Sequence, residues 1–146
     1  MLSHMHPQLA AFFQYRVEQQ KLLEQLDGPG AVMPMPDLKG LRAWYKMFGQ
    51  RVGGPVLEVA EVRDFVAETD ERPLHMRLYR PQADLAAPPC LVYFHGGGWS
   101  MGDLDTHDRV CRRLALAAHA VVISVDYALS PELPWPQAAH DAIAAT

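Results

Sequence analysis

Cysteine is nearly absent from this chain: there are two in 146 residues, Cys90 and Cys111. With no C-x-x-C pair and no Cys/His ligand spacing, the sequence argues against both a disulfide framework and a zinc site, and both thiols are expected to be reduced and packed. Runs of basic residues are also missing. Thirteen Lys and Arg against seventeen Asp and Glu give a net charge of −4, which sets aside nucleic acid as a partner. No apolar run approaches the roughly 20 residues of a membrane span, and the opening MLSHMHPQLAAFFQYR lacks the apolar core of a secretion signal. The expected location is therefore cytoplasmic. His4 and His6 suit a frayed, solvated terminus better than a metal site, and no metal or organic cofactor is implied. What the chain does have is 49% apolar residues, enough for a buried core in one ordinary domain.

The apolar pattern changes period along the chain. Leu9, Phe12, Phe13, Val17, Leu22, Leu23 and Leu26 recur at three- and four-residue steps, which predicts an amphipathic helix from Pro7 to Leu26, ended by Gly28-Pro29-Gly30. After the proline-rich AVMPMP, Leu38, Leu41, Trp44, Tyr45 and Phe48 predict a second helix from Asp37 to about Arg51. Val56 to Val66 then alternates apolar and polar residues, as does His75 to Tyr79 after the turn-forming TDERP, so an antiparallel hairpin half open to water is expected. CLVYF (Cys90 to Phe94) and AVVISV (Ala120 to Val125) are instead continuous apolar runs, as in parallel strands covered on both faces, and Asp105 to His119 has the length of a crossover helix. A last helix is expected to begin in QAAHDAIAAT.

Between CLVYF and the crossover lies HGGGWSMGD, His95 to Asp103, which admits three readings. The plainest is a tight turn. A second is nucleotide binding, since Gly96, Gly98 and Gly102 follow a strand and Asp126 ends the next one. Asp103 and Asp105 oppose it, because they would crowd a pyrophosphate, and they are expected to serve as helix caps. The third is acyl transfer. Consecutive glycines let successive N–H groups converge on the oxygen that becomes negative in a tetrahedral intermediate, with His95 holding the loop and not transferring a proton.

HGGGW (His95 to Trp99), Gly102-Asp103, Cys111-x-x-Leu114-Ala115 and VDYALSPELPWPQAAHDA (Val125 to Ala142) together resemble the hormone-sensitive-lipase-like branch of the α/β-hydrolases, across roughly Pro55 to Ala142. Ala128 and Ser130 depart from the arginine and alanine that this family usually carries there. The resemblance implies an α/β class: residues 1–54 as two N-terminal cap helices, and residues 55–146 as the first half of an α/β-hydrolase sheet, an antiparallel hairpin followed by a parallel βαβ unit. It implies a serine esterase or lipase acting on a small acyl ester. Gly97 and Gly98 would be the oxyanion-hole donors, Gly96 would shape the approach, and His95 and Tyr127 would organise the loop. Trp99 would line the acyl pocket or merely pack.

The family's nucleophile elbow, acid and histidine would all come after Thr146. Gly-Trp-Ser-Met-Gly (Gly98 to Gly102) does fit G-x-S-x-G, and Ser100, Asp126 and His140 follow the serine, acid, histidine order. However, Ser100 does not directly follow its strand as an elbow serine should, and His140 reads as a solvated or packed helical residue. Asp141 reads as solvated. The expectation is a chain that supplies the oxyanion loop without the nucleophile and is inactive alone. The alternatives are an inactive binding module of the same fold or a small hydrolase using Ser100. Without the following strand CLVYF would present an open edge, to be covered by the rest of the domain or by a second chain.

Overall fold

The structure, a computed structural model, describes residues 14, 17, 18, 20, 21, 24, 25, 29 and 37–146 except 85. Two compact units are present, Met1–Leu41 and Arg42–Thr146. In the first, the described residues between 14 and 25 are helical, with Gln20 donating to Glu24 at 3.1 Å. The rest of the predicted first helix, AVMPMP, His4 and His6 lie outside the described residues.

The second predicted helix is α1, Leu38–Val52. The Asp37 carboxylate caps it by accepting the Gly40 N–H at 2.7 Å, and Trp44 stacks on Phe48 one turn later, at 5.1 Å between rings. Strands β1 (Glu61–Ala67) and β2 (Leu74–Arg80) form the expected antiparallel hairpin, with Glu61 opposite Arg80 and Ala67 opposite Leu74. Strand β1 starts later than its alternation suggests. Ala60 still donates to the Pro81 carbonyl at 3.4 Å, but Pro81 has no N–H to return, so the ladder stops and Val56–Ala60 stays outside the sheet. The hairpin is half open: Leu74, Met76 and Tyr79 of β2 are buried, whereas most of β1 is exposed or half-buried.

Strand β3 (Cys90–Phe94), helix α2 (Asp108–Ala118) and strand β4 (Val121–Val125) form the βαβ unit, with β3 and β4 parallel in the register Cys90 to Val121. Antiparallel pairing of β4 with β2 joins it to the hairpin and gives one four-stranded sheet in the order β1-β2-β4-β3. Strand β4 is covered on both faces. Val125 packs with Leu74, Met76 and Tyr127 on one side, and Val122 packs with Tyr79, Cys111 and Ala115 on the other. A last helix, α3 (Gln137–Ala144), follows cis peptides at Ser130-Pro131 and Trp135-Pro136. No helix among the described residues is long and apolar enough to cross a membrane.

Three expectations need correction. Cys90 is exposed, not packed, because β3 lies at the end of the sheet, where only β4 covers it; Cys111, facing β4 from α2, is buried as expected. Asp103 and Asp105 do not cap α2, which starts at Asp108 behind His107 with no side-chain cap. Asp103 instead closes a local turn with Thr106, accepting its N–H at 2.7 Å, while Asp105 pairs with Lys46 at 2.7 Å and Arg77 at 3.0 Å. Asp141 is not solvated: it is 2% exposed, and its carboxylate accepts from Arg72, from the Ala128 N–H at 2.7 Å and from Gln137 at 3.2 Å. A helix start after Pro136 turns this residue toward the β4 exit, where an unpaired N–H draws it in.

Candidate functional site

Strand β3 delivers the chain at Phe94 into His95, which is buried at 3% exposure. Its carbonyl accepts the Tyr127 hydroxyl at 2.6 Å, and the two rings stack at 4.4 Å. His107 stacks on the imidazole as well, at 5.4 Å. The His95 Nδ1 lies 2.9 Å from the Gly96 carbonyl, an acceptor only, so Nδ1 donates there, and Nε2 is buried with no partner among the described residues. Burial pushes the His107 imidazole below its ordinary value, and His95 beside it adds to the effect, which keeps this ring neutral at pH 7. His95 and Tyr127 are thus buried against each other beneath the glycine loop.

Above that base the backbone turns through three successive positive φ values: Gly97 at 136°, Gly98 at 61° and Trp99 at 56°. A Cβ on Gly97 would lie 2.0 Å from the Met101 carbonyl oxygen, so no other residue fits there. The Gly97 carbonyl accepts from both Ser100 and Met101, at 3.3 and 3.0 Å. The N–H groups of Gly97, Gly98 and Trp99 have no acceptor among the described residues. Unpaired N–H groups in a positive-φ run form a concavity suited to an anion.

The loop borders a cavity of about 330 Å³, lined by Phe94, the three glycines, Trp99 and Tyr127, with Ala138 and Ala142 of α3 opposite. Trp99 is 68% exposed, so it lines this cavity and does not pack into the core. Apart from the loop's own N–H groups and His95, the walls are largely apolar. Among the described residues, no group of three or more His, Cys, Asp and Glu side chains is arranged to hold a metal ion.

Ser100, Asp126 and His140 are not brought together. The Ser100 hydroxyl sits 3.5 Å from the Gly97 carbonyl, its own loop, and no hydrogen bond links it to His140. On the exposed side of α3, His140 faces Glu71, 2.9 Å from the carboxylate. Burial pushes the Asp126 carboxyl up from its ordinary value, and its backbone N–H continues the sheet to His75 at 2.9 Å.

One residue at the site escaped the sequence reading. From α1, Arg42 donates to the Ser100 carbonyl at 2.7 Å and to the Ser130 carbonyl at 3.2 Å, and grips both oxygens of Glu132 at 2.7 and 2.8 Å. Nothing in the pattern of α1 marks it, because an arginine in an amphipathic helix reads as part of the solvated face.

Comparison with known proteins gives consistent results. Residues 91–146 match the family described as alpha/beta hydrolase fold. The chain is 49% identical over 94 residues to the esterase LipI of Mycobacterium tuberculosis, covering 63% of this chain and 29% of that protein. It is 41% identical over 109 residues to the carboxylic ester hydrolase LipN of the same organism, covering 75% and 28%. Among solved structures, the esterase of Pyrobaculum calidifontis superimposes with a TM-score of 0.67 at 34% identity, over 86% of this chain and 39% of that one. The chain thus spans somewhat under a third of the length of these curated relatives.

Proposed function

From a chain with the α/β-hydrolase fold and kinship to the hormone-sensitive-lipase-like esterases, we propose the oxyanion-binding portion of a serine carboxylic-ester hydrolase. The observation that carries this is the positive-φ run at Gly97, Gly98 and Trp99, whose N–H groups lack acceptors and border the apolar cavity. In ester hydrolysis a serine alkoxide adds to the acyl carbon and the carbonyl oxygen becomes negative. N–H groups already held in place bind that oxygen more strongly than the ground-state carbonyl, and each such donor contributes roughly 10²–10³ in kcat. Gly97 and Gly98 supply these donors, Gly96 leaves the approach open, and His95 and Tyr127 hold the loop from beneath. The acyl chain lies against Phe94 and Trp99, in a space that suits a short or medium chain.

The attacking serine belongs to polypeptide outside these residues. Among the described residues the Ser100 hydroxyl meets only the Gly97 carbonyl and makes no hydrogen bond to an imidazole or a carboxylate that could act as its base. The unpaired edge of β3 is the place for further strands, from the same polypeptide or from a second chain.

Reaction with a fluorophosphonate, followed by peptide mass mapping, tests this reading. The expected result is a labelled serine in the intact protein that is not Ser100, and no label on residues 1–146 expressed alone. A label on Ser100 that vanishes in His140→Ala would make this chain a self-contained hydrolase and overturn the assignment.

A further inference from the structure

We propose that Arg42 is the positioning residue of the glycine loop: by tying Ser100, Ser130 and Glu132 together it holds the loop's N–H groups in their productive pose. This rests on the ester-hydrolase reading above.

The geometry is unusual for a surface arginine. Glu132 takes both terminal nitrogens in a bidentate grip, and the same guanidinium still donates through Nε to the Ser100 carbonyl and through Nη2 to the Ser130 carbonyl. All three nitrogens are engaged, and Glu132 neutralises the charge. That leaves Arg42 little capacity to bind the oxyanion itself, and its influence passes through the backbone.

The route is short. Ser100 N–H closes the turn onto the Gly97 carbonyl, so fixing the Ser100 carbonyl fixes the peptide that follows the turn. Directly before Ser100, the Trp99 carbonyl accepts the Ser130 N–H at 2.7 Å. The glycine loop and the Pro131 turn are therefore joined twice, once directly and once through Arg42. In the run of three positive φ values the two glycines take theirs freely, but Trp99 at 56° does not, and its conformation persists only where its surroundings over-determine it. Carbonyls on the far side of that run, held by a charged donor, supply such a constraint. The Glu132 carboxylate is held at about 2 by Arg42, so the grip stays ionised across working pH.

The test compares wild type, Arg42→Ala, Arg42→Lys and Glu132→Gln in the intact protein, with p-nitrophenyl butyrate as substrate. Arg42→Ala is expected to lower kcat by roughly 10–100-fold with KM within about twofold, the pattern of misplaced transition-state donors and not of lost substrate binding. Lysine, which cannot hold two carbonyls and a carboxylate at once, is expected to restore little, whereas added methylguanidine restores part of kcat to Arg42→Ala. By hydrogen exchange, the Ser130 amide should open faster in Arg42→Ala while the amides of β4 do not change.

An active wild type with unchanged kcat in Arg42→Ala, or a loss confined to KM, overturns the positioning role alone. Absence of any ester hydrolysis by the wild type overturns the functional reading instead, and the catalytic role of Arg42 with it. If Arg42→Ala does not fold, Glu132→Gln carries the test: it leaves the guanidinium in place and is expected to lower kcat by roughly 3–10-fold, and no loss refutes the proposal.

Discussion

Replacing Asp141 tests how the turn after β4 is held. The carboxylate is 2% exposed and accepts from Arg72, Ala128 and Gln137. Truncation to alanine leaves the buried Ala128 N–H without an acceptor, a loss of about 1–3 kcal/mol. Arg72 loses its partner as well, but its side chain is 26% exposed and water takes over part of the interaction, so this half lies at the low end of the roughly 1.5–3 kcal/mol of a charged hydrogen bond. The sum is about 3 kcal/mol for Asp141→Ala. For Asp141→Asn it is about 2 kcal/mol, since one oxygen remains while an amide NH₂ faces another donor.

Urea unfolding of the intact protein at pH 7 reads this as a lowered midpoint at unchanged slope. Burial pushes the Asp141 carboxyl up, but the bonds from Arg72, Ala128 and Gln137 outweigh it, so the net direction is down. A depressed carboxylate contributes stability above its unfolded value of about 3.9 and loses it as pH falls through the lower folded one. The gap between wild type and Asp141→Asn should therefore close below about pH 4. A gap under about 0.5 kcal/mol at pH 7, or one that does not change with pH, would refute the reasoning.

Three further outcomes are expected. Gly97→Ala, whose Cβ would meet the Met101 carbonyl at 2.0 Å, should cost ester turnover roughly 100-fold or more, read as kcat on p-nitrophenyl butyrate. Tyr127→Phe removes the 2.6 Å bond to the His95 carbonyl and should lower stability by about 1–2 kcal/mol in urea unfolding. In residues 1–146 expressed alone, iodoacetamide at pH 8 should modify Cys90 and spare Cys111, whose thiol is buried and pushed up to about 11 chiefly by that burial; mass mapping of the peptides checks it.

The sheet was legible where local pattern and environment coincide. AVVISV reads as a buried parallel strand and is one, whereas CLVYF, read the same way, is only half-buried with Cys90 exposed; the alternation of His75 to Tyr79 puts Met76 on the core face with Leu74. The boundary of β1 was not legible, because it depends on Pro81, the residue that follows the partner strand, and not on β1's own alternation. Asp141 was misread for a related reason: a carboxylate on a short helix looks solvated until the N–H it satisfies, 13 residues earlier, is known to be beside it. Cys90 looked packed because its strand is apolar, but exposure at the end of a sheet depends on strand order.

By itself the sequence determined the α/β class, the strand-to-helix setting of the glycine loop and the apolar character of its surroundings, since period, apolar runs and consecutive glycines are properties of neighbours along the chain. Only the tertiary structure decided that His140 pairs with Glu71 and that Arg42 reaches the Ser100 and Ser130 carbonyls. Those are contacts between residues 58 and 88 positions apart for Arg42 and 69 for His140. Hydrogen bonds act over about 3 Å of space whatever the separation along the chain, so the partners are settled only when the sheet brings them together.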